Sequence, residues 1–136
     1  MPAEADRPDI LRRWLRANAV FSALSAAALV LLSGSLPAVL GVGVGWVHAA
    51  IGVALALYAA HLWRLAGRGV ERVEGLAVVV GDVLWVVGSL ALVASGTLSS
   101  AGVWIVTGVA LVIAVFAVMQ WLGLRSRPLE GIPTIT

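Results

Sequence analysis

The chain has 136 residues, 61% of them hydrophobic and only 12% charged, with a formal net charge of +2. That composition excludes an ordinary soluble domain, and so small a charge excess is no signature of nucleic-acid binding. All nine basic residues are arginine and cysteine is absent, which removes lysine Schiff bases, P-loops, thiolate catalysis and disulfides from consideration.

Residues 1–8 are polar. Asp9 has the character of a helix N-cap. Residues 9–16 then read as a short amphipathic turn, with Ile10, Leu11, Trp14 and Leu15 on one side and Arg12, Arg13 and Arg16 on the other. Such a turn lies in a membrane interface, and it is expected to run straight into the first helix. The first long apolar stretch covers about residues 17–35. Pro37 disfavours helical backbone at Leu36, so this helix should end near Ser35. A secretory leader is the alternative to an uncleaved first helix, with residues 33–35 imitating a cleavage site. An uncharged loop, 36–43, leads to the second stretch, about 44–65. A polar link carrying Gly67, Gly69, Glu71, Arg72 and Glu74 leads to the third, about 75–95. A tight turn precedes the fourth, about 102–124. The tail 126–136, with Pro128 and Pro133, is expected to be extended.

Each apolar stretch is long enough to cross about 30 Å of hydrocarbon at about 1.5 Å per residue. The arginines all fall on one side of the resulting topology. Arg7, Arg12, Arg13 and Arg16 precede the first stretch; Arg64, Arg68 and Arg72 lie between the second and third; Arg125 and Arg127 follow the fourth. Positive charge stays on the cytoplasmic side. The expected architecture is therefore an all-α membrane protein of one domain: a four-transmembrane-helix up-down-up-down bundle with both termini cytoplasmic.

Five tryptophans suit the wet–dry boundary that indole prefers. Trp14, Trp63 and Trp121 belong at the arginine-rich end, and Trp46 and Trp104 at the other; Trp85 lies well inside a span. Trp46 and Trp63 are seventeen residues apart, as are Trp104 and Trp121. Two hairpins of like orientation account for that repeat, as does the shared composition of any two spanning helices.

Small residues recur at helical spacing. Gly45, Ala49, Gly52, Ala56 and Ala59 share one face of the second helix, and Ala110, Ala114 and Ala117 one face of the fourth. Gly81, Gly88 and Ser95 recur every seven residues in the third. Lipid supplies little hydrophobic drive between helices, so such faces are expected to pack by close backbone approach.

Asp82 is the one acid within a span. It lies roughly 12 Å deep by helical rise from Glu74. An ionisable group at that depth is costly and marks a site. Asn18, Ser22 and Ser25 share a face of the first helix; His61 and Gln120 lie near the arginine-rich ends of the second and fourth; Trp85 and Ser89 follow Asp82 by one and two turns. The expectation is a polar pocket opening to the cytoplasm and lined by these residues. The duller alternative makes Asp82 a structural glue residue and His61 an interfacial one. Arg12, Arg13, Arg16, Arg64 and Arg68 are placed to meet anionic lipid headgroups. His48 and His61 fall near opposite ends of one helix, which suits neither a metal nor a haem site. No cofactor, metal site or catalytic residue is expected.

The runs Asp82-Val83-Leu84-Trp85-Val86-Val87-Gly88-Ser89 and Gln120-Trp121-Leu122-Gly123-Leu124-Arg125 resemble segments of small, uncharacterised four-span bacterial inner-membrane proteins. The resemblance extends over all four stretches. It implies the four-helix architecture and a bacterial inner membrane, and it carries no activity. Small multidrug transporters, four-helix thiol oxidoreductases and membrane glutathione transferases fit less well. The first need an acid in the first helix, the second need cysteine, and the third need a polar cytoplasmic motif absent from this chain. The expected function is non-enzymatic: a scaffold or accessory subunit packing on a membrane-protein partner or on itself. A proton-linked carrier using Asp82 and an anionic-lipid-binding protein are the alternatives.

Overall fold

A computed structural model describes residues 10–126. The expected Asp9 cap and the tail beyond Ser126 lie outside the described residues. Five helices follow in order: α1 (Ile10–Leu31), α2 (Leu36–Leu40), α3 (Gly45–Arg68), α4 (Arg72–Ala94) and α5 (Ser100–Arg125). Among the described residues there is no strand. Helices α1, α3, α4 and α5 are each long and apolar enough to cross a membrane. The chain is an all-α four-helix bundle and a multi-pass membrane protein.

The amphipathic turn runs straight into the first span, residues 10–16 being the first two turns of α1. One boundary differs from expectation: α1 stops at Leu31, where a turn closed by the Ser35 N–H on the Leu32 carbonyl (2.9 Å) replaces its last residues. The loop after it contains the extra helix α2. Pro37 stands in the first turn of α2, where an amide hydrogen would have no intrahelical partner. Gly41 then ends α2 at φ +79°, a left-handed conformation that glycine adopts without a Cβ penalty.

Helix α1 packs along α3 and also against α5, while α4 packs along α5. The backbones of α3 and α4 stay apart although the two are consecutive. The spatial order is therefore α3–α1–α5–α4. At the arginine-rich end a layer of Leu11, Leu15, Leu62, Leu65, Val70, Val78 and Leu124 is buried. Phe116 of α5 meets Phe21 and Trp14 of α1 edge-on, with centroids 5.6 and 6.1 Å away.

Close backbone approach appears at only some of the small residues. A Cβ on Gly52 would stand 2.9 Å from the Leu29 Cβ and 3.0 Å from the Ala26 carbonyl, so α1 and α3 meet there. Gly45 lies against the Ser33 carbonyl in the same way. Ala59, Ala110 and Ala117 are buried, and Ala49 and Ala114 half-buried. Ala56 is exposed, because α1 covers α3 over less of its surface than the five-residue stripe spans. Gly81 and Gly88 have no neighbour within 4 Å of a notional Cβ. The α4 stripe thus faces away from the rest of the chain, and α4 is the least buried of the four spans.

Candidate functional site: a buried carboxylate cluster

The inward row of α4 runs through Gly75, Val78 and Asp82. That row aims Asp82 at the gap between α3 and α5, just beyond the leucine layer. Asp82 is only 4% exposed. Three helices supply donors to it. The Asn18 amide of α1 donates to Asp82 Oδ2 at 2.8 Å, the Gln120 amide of α5 donates to the same oxygen at 2.7 Å, and the Tyr58 hydroxyl of α3 donates to Oδ1 at 3.0 Å.

The donors are themselves tied together. Asn18 Nδ2 also donates to Gln120 Oε1 at 3.2 Å, and the Ser22 hydroxyl donates to Asn18 Oδ1 at 3.1 Å. Gln120 Nε2 spends its second hydrogen on the Phe116 carbonyl one turn earlier, at 2.9 Å. Asn18 and Gln120 are essentially inaccessible and Ser22 nearly so. Among the described residues no buried side-chain nitrogen or oxygen lacks a partner. A buried polar group is tolerated only when so satisfied, and more so where no water competes.

The arrangement has a definite polarity. Both amide groups and the phenol point hydrogens at the carboxylate, which acts purely as acceptor. No arginine or histidine of the described residues bonds to it; the ion pair among them joins Arg68 to Glu74 at 2.6 Å, at the α3–α4 turn. A carboxylate in this setting is held by neutral dipoles converging from three helices.

Of the residues proposed to line a pocket, Asp82, Asn18, Ser22 and Gln120 come together. Four do not. His61 is exposed, because the inner face of α3 runs through Tyr58, Leu62 and Leu65, and Leu62 fills the place expected of the histidine. Trp85 is 40% exposed. It lies one turn past Asp82 but off the inward row, which continues through half-buried Val86 and Ser89. Ser89 and Ser25 are half-buried and add no hydrogen bond to the cluster.

Asp82, Asn18, Ser22 and Gln120 are each at most 4% exposed. A groove of about 580 Å³ lies on the outer flank of α1 and α3, and a smaller one of about 390 Å³ lies beside Arg13 and Trp14; neither is lined by the cluster.

Tyr58 was missed by sequence reasoning, which favoured His61. The signal was depth. Tyr58 lies six residues inside Arg64, about 9 Å by helical rise, close to the depth of Asp82, whereas His61 is half as deep. Tyrosine also carries an apolar body with one polar tip, which suits a span. It is the chain's one tyrosine.

The headgroup arginines divide. Arg12, Arg13, Arg16 and Arg64 are exposed, and the Arg16 guanidinium lies 5.5 Å over the Trp63 ring. Arg68 is engaged with Glu74. Tryptophan exposure follows the two ends: Trp46 and Trp104 are highly exposed at the uncharged end, Trp63 and Trp121 partly exposed at the other. His48 is buried at the uncharged end, its Nδ1 3.0 Å from the Val44 carbonyl and its ring against Gly43. No group of three or more histidines, aspartates or glutamates among the described residues is arranged to hold a metal ion. No known protein family matches the chain, and no curated protein or solved structure is significantly similar to it.

Proposed function

We propose that the chain is a non-enzymatic structural protein of a bacterial inner membrane, a scaffold or accessory subunit that packs against a larger membrane partner or a second copy of itself. The observation that carries this reading is the closed polar cluster. Every hydrogen of the Asn18 and Gln120 amides is used within the protein, and all three donors to Asp82 come from different helices. Such a cluster fixes how four thin helices are arranged and spends its amide hydrogens inside the protein. Meanwhile α4 turns Gly81 and Gly88 outward, where another helix can approach closely.

Co-purification in mild detergent, with cross-linking in native membranes, tests the reading. A partner or second copy should be recovered, and Gly88→Leu should weaken its capture. A solitary protein in both settings overturns the scaffold reading.

A second reading is a proton-linked carrier. It is favoured by one feature, a span carboxylate with no cationic partner among the described residues. Taking up a proton would give Asp82 a hydrogen to donate and would require the Tyr58 hydroxyl to turn. The variant Asp82→Asn separates the readings. Its amide oxygen can accept from Asn18 and Gln120 while its nitrogen donates to the turned Tyr58 hydroxyl. A structural cluster tolerates that change; proton-coupled flux in liposomes is abolished by it.

A further inference from the structure

On the flank of α1 and α3 opposite the cluster runs an apolar groove, floored by Ala23, Ala27, Ala56 and Ala60 and ending at Trp63. Its α1 side extends from Ala19 to Val30. That is about 16 Å at helical rise, roughly half of a 30 Å hydrocarbon core and so the depth occupied by the acyl chains of one leaflet. The groove exists because alanines stand where the flanking positions carry Val20, Leu57 and Val53.

The arginine-rich end of this groove is not neutral. Arg16 lies one turn before Ala19 and Val20, and Arg12 one turn before Arg16, on the same face of α1. Arg64 lies one turn after Ala60 on the facing side of α3. All three are exposed, and none takes part in an ion pair among the described residues. The Arg16 guanidinium lies 5.5 Å over the Trp63 ring that closes the groove, within cation–π range. That contact holds the charge at the mouth of the groove, and a guanidinium can bind a phosphate through two N–H groups. Indole at that depth marks the boundary between acyl chains and headgroups.

We infer that this flank is a binding site for one anionic phospholipid, an acyl chain lying in the alanine groove and the phosphate held between Arg16 and Arg64, with Arg12 adjacent. Two independent features agree on that occupant. The groove has the polarity and length of a single acyl chain, and the positive charge sits at the end where the headgroup of that leaflet falls. A transmembrane segment of a protein partner would fill the groove equally well but would bring no phosphate to the arginines. The site shares no residue with the Asp82 cluster, so it stands or falls separately from the scaffold reading.

The test uses the full chain reconstituted in phosphatidylcholine vesicles doped with phosphatidylglycerol carrying brominated acyl chains. Lipid retained after mild detergent extraction is counted by native mass spectrometry, and tryptophan quenching reports chain contact. The wild type should retain phosphatidylglycerol in preference to phosphatidylcholine. Arg16→Gln and Arg64→Gln should each lower that retention about fivefold, the worth of one arginine near an anionic surface. Ala23→Leu with Ala60→Leu should remove retention while every arginine remains; both positions are exposed, so the bundle accommodates the change. Trp63→Phe should lose the largest share of the quenching. Arg125→Gln, an exposed arginine away from the groove, should change nothing. Equal retention of the two lipids, unchanged retention in the groove-filled variant, or an equal loss in Arg125→Gln would each overturn the site.

Discussion

Around the arginine-rich end, long apolar side chains fill most of the bundle, with one close backbone approach where a Cβ on Gly123 would stand 3.0 Å from the Leu11 N; at the uncharged end, backbone contacts carry the packing of α2 on α5. Leu11, Leu15, Leu62, Leu65 and Leu124 are almost wholly buried in the first region, and the Asp82 cluster lies just beyond them. In the second region a Cβ on Gly102 would stand 2.5 Å from the Leu40 carbonyl oxygen. Ser99 caps α5 there by accepting from the Gly102 N–H at 2.9 Å, and its own N–H donates to the Leu40 carbonyl at 2.8 Å. Its hydroxyl donates to the Val39 carbonyl. So α2 is docked on the start of α5 by main-chain groups and the Ser99 hydroxyl, around a glycine that lacks a side chain, whereas the arginine-rich end adds side-chain volume and polar pairing to its one glycine contact. The cluster and the α2–α5 joint also do the same topological work. Each joins the α1–α3 hairpin to the α4–α5 hairpin, which the chain itself connects only through the α3–α4 turn.

The sharpest way to break the first region is Asp82→Leu. It removes the shared acceptor and leaves donors on Asn18, Tyr58 and Gln120 without it. Orphaned buried donors cost about 1–3 kcal/mol each, reduced in lipid because the unfolded chain also finds partners. A loss of about 3 kcal/mol is expected, read as an earlier transition when the helices are unfolded by SDS and followed by tryptophan fluorescence. Asp82→Asn should stay within about 1 kcal/mol of the wild type. Equal losses in the two variants would mean that charge, not acceptor geometry, holds the cluster.

The second region is broken most directly by Gly102→Ala. The obstacle is a backbone carbonyl, which cannot swing aside, so α2 must lift from α5. Overpacking of this kind costs about 2 kcal/mol. Gly88→Ala supplies the contrast, since nothing lies within 4 Å of its added methyl. It should be neutral or slightly stabilising, as alanine is the better helix former by about 0.5–1 kcal/mol. A comparable loss at both glycines would show that helix flexibility, rather than the α2–α5 joint, is what glycine provides.

How far these regions were legible in the sequence follows from the same contrast. Span number, span length and the partition of arginines depend on local composition and could be read directly. Asp82, Asn18, Ser22 and Gln120 stood out because polar side chains are rare within such spans. What local reading could not supply was which way each helix is turned. That rotation is set by neighbours: α4 is covered on one side only, so Trp85 and the Gly81–Gly88 stripe face outward although spacing alone made them plausible interior groups. The same rotation of α3 exchanged His61 for Tyr58. Helix α2 was hidden because a five-residue helix has no periodicity to detect, and Pro37 suggested only where α1 must stop.

The smaller effects test the link between hairpins. Tyr58 is the α3 contribution to the cluster, and it spans a gap that the α3 and α4 backbones leave open. Tyr58→Phe keeps the ring and removes one hydrogen bond, so a loss of about 0.6 kcal/mol is expected in the same unfolding measurement. Arg68→Gln cuts the other connection across that gap. The Arg68 guanidinium reaches Glu74 in the first turn of α4, but it does so from an exposed position and competes with water and salt. Glu74 also keeps a second partner, the Glu71 N–H at 3.1 Å, so the start of α4 stays closed without the arginine. The unfolding transition of Arg68→Gln should therefore coincide with that of the wild type at low and high salt alike. Were it instead to fall further than that of Tyr58→Phe, the turn rather than the buried phenol would be what keeps α3 against α4, and the cluster would owe its closure to the chain's connectivity.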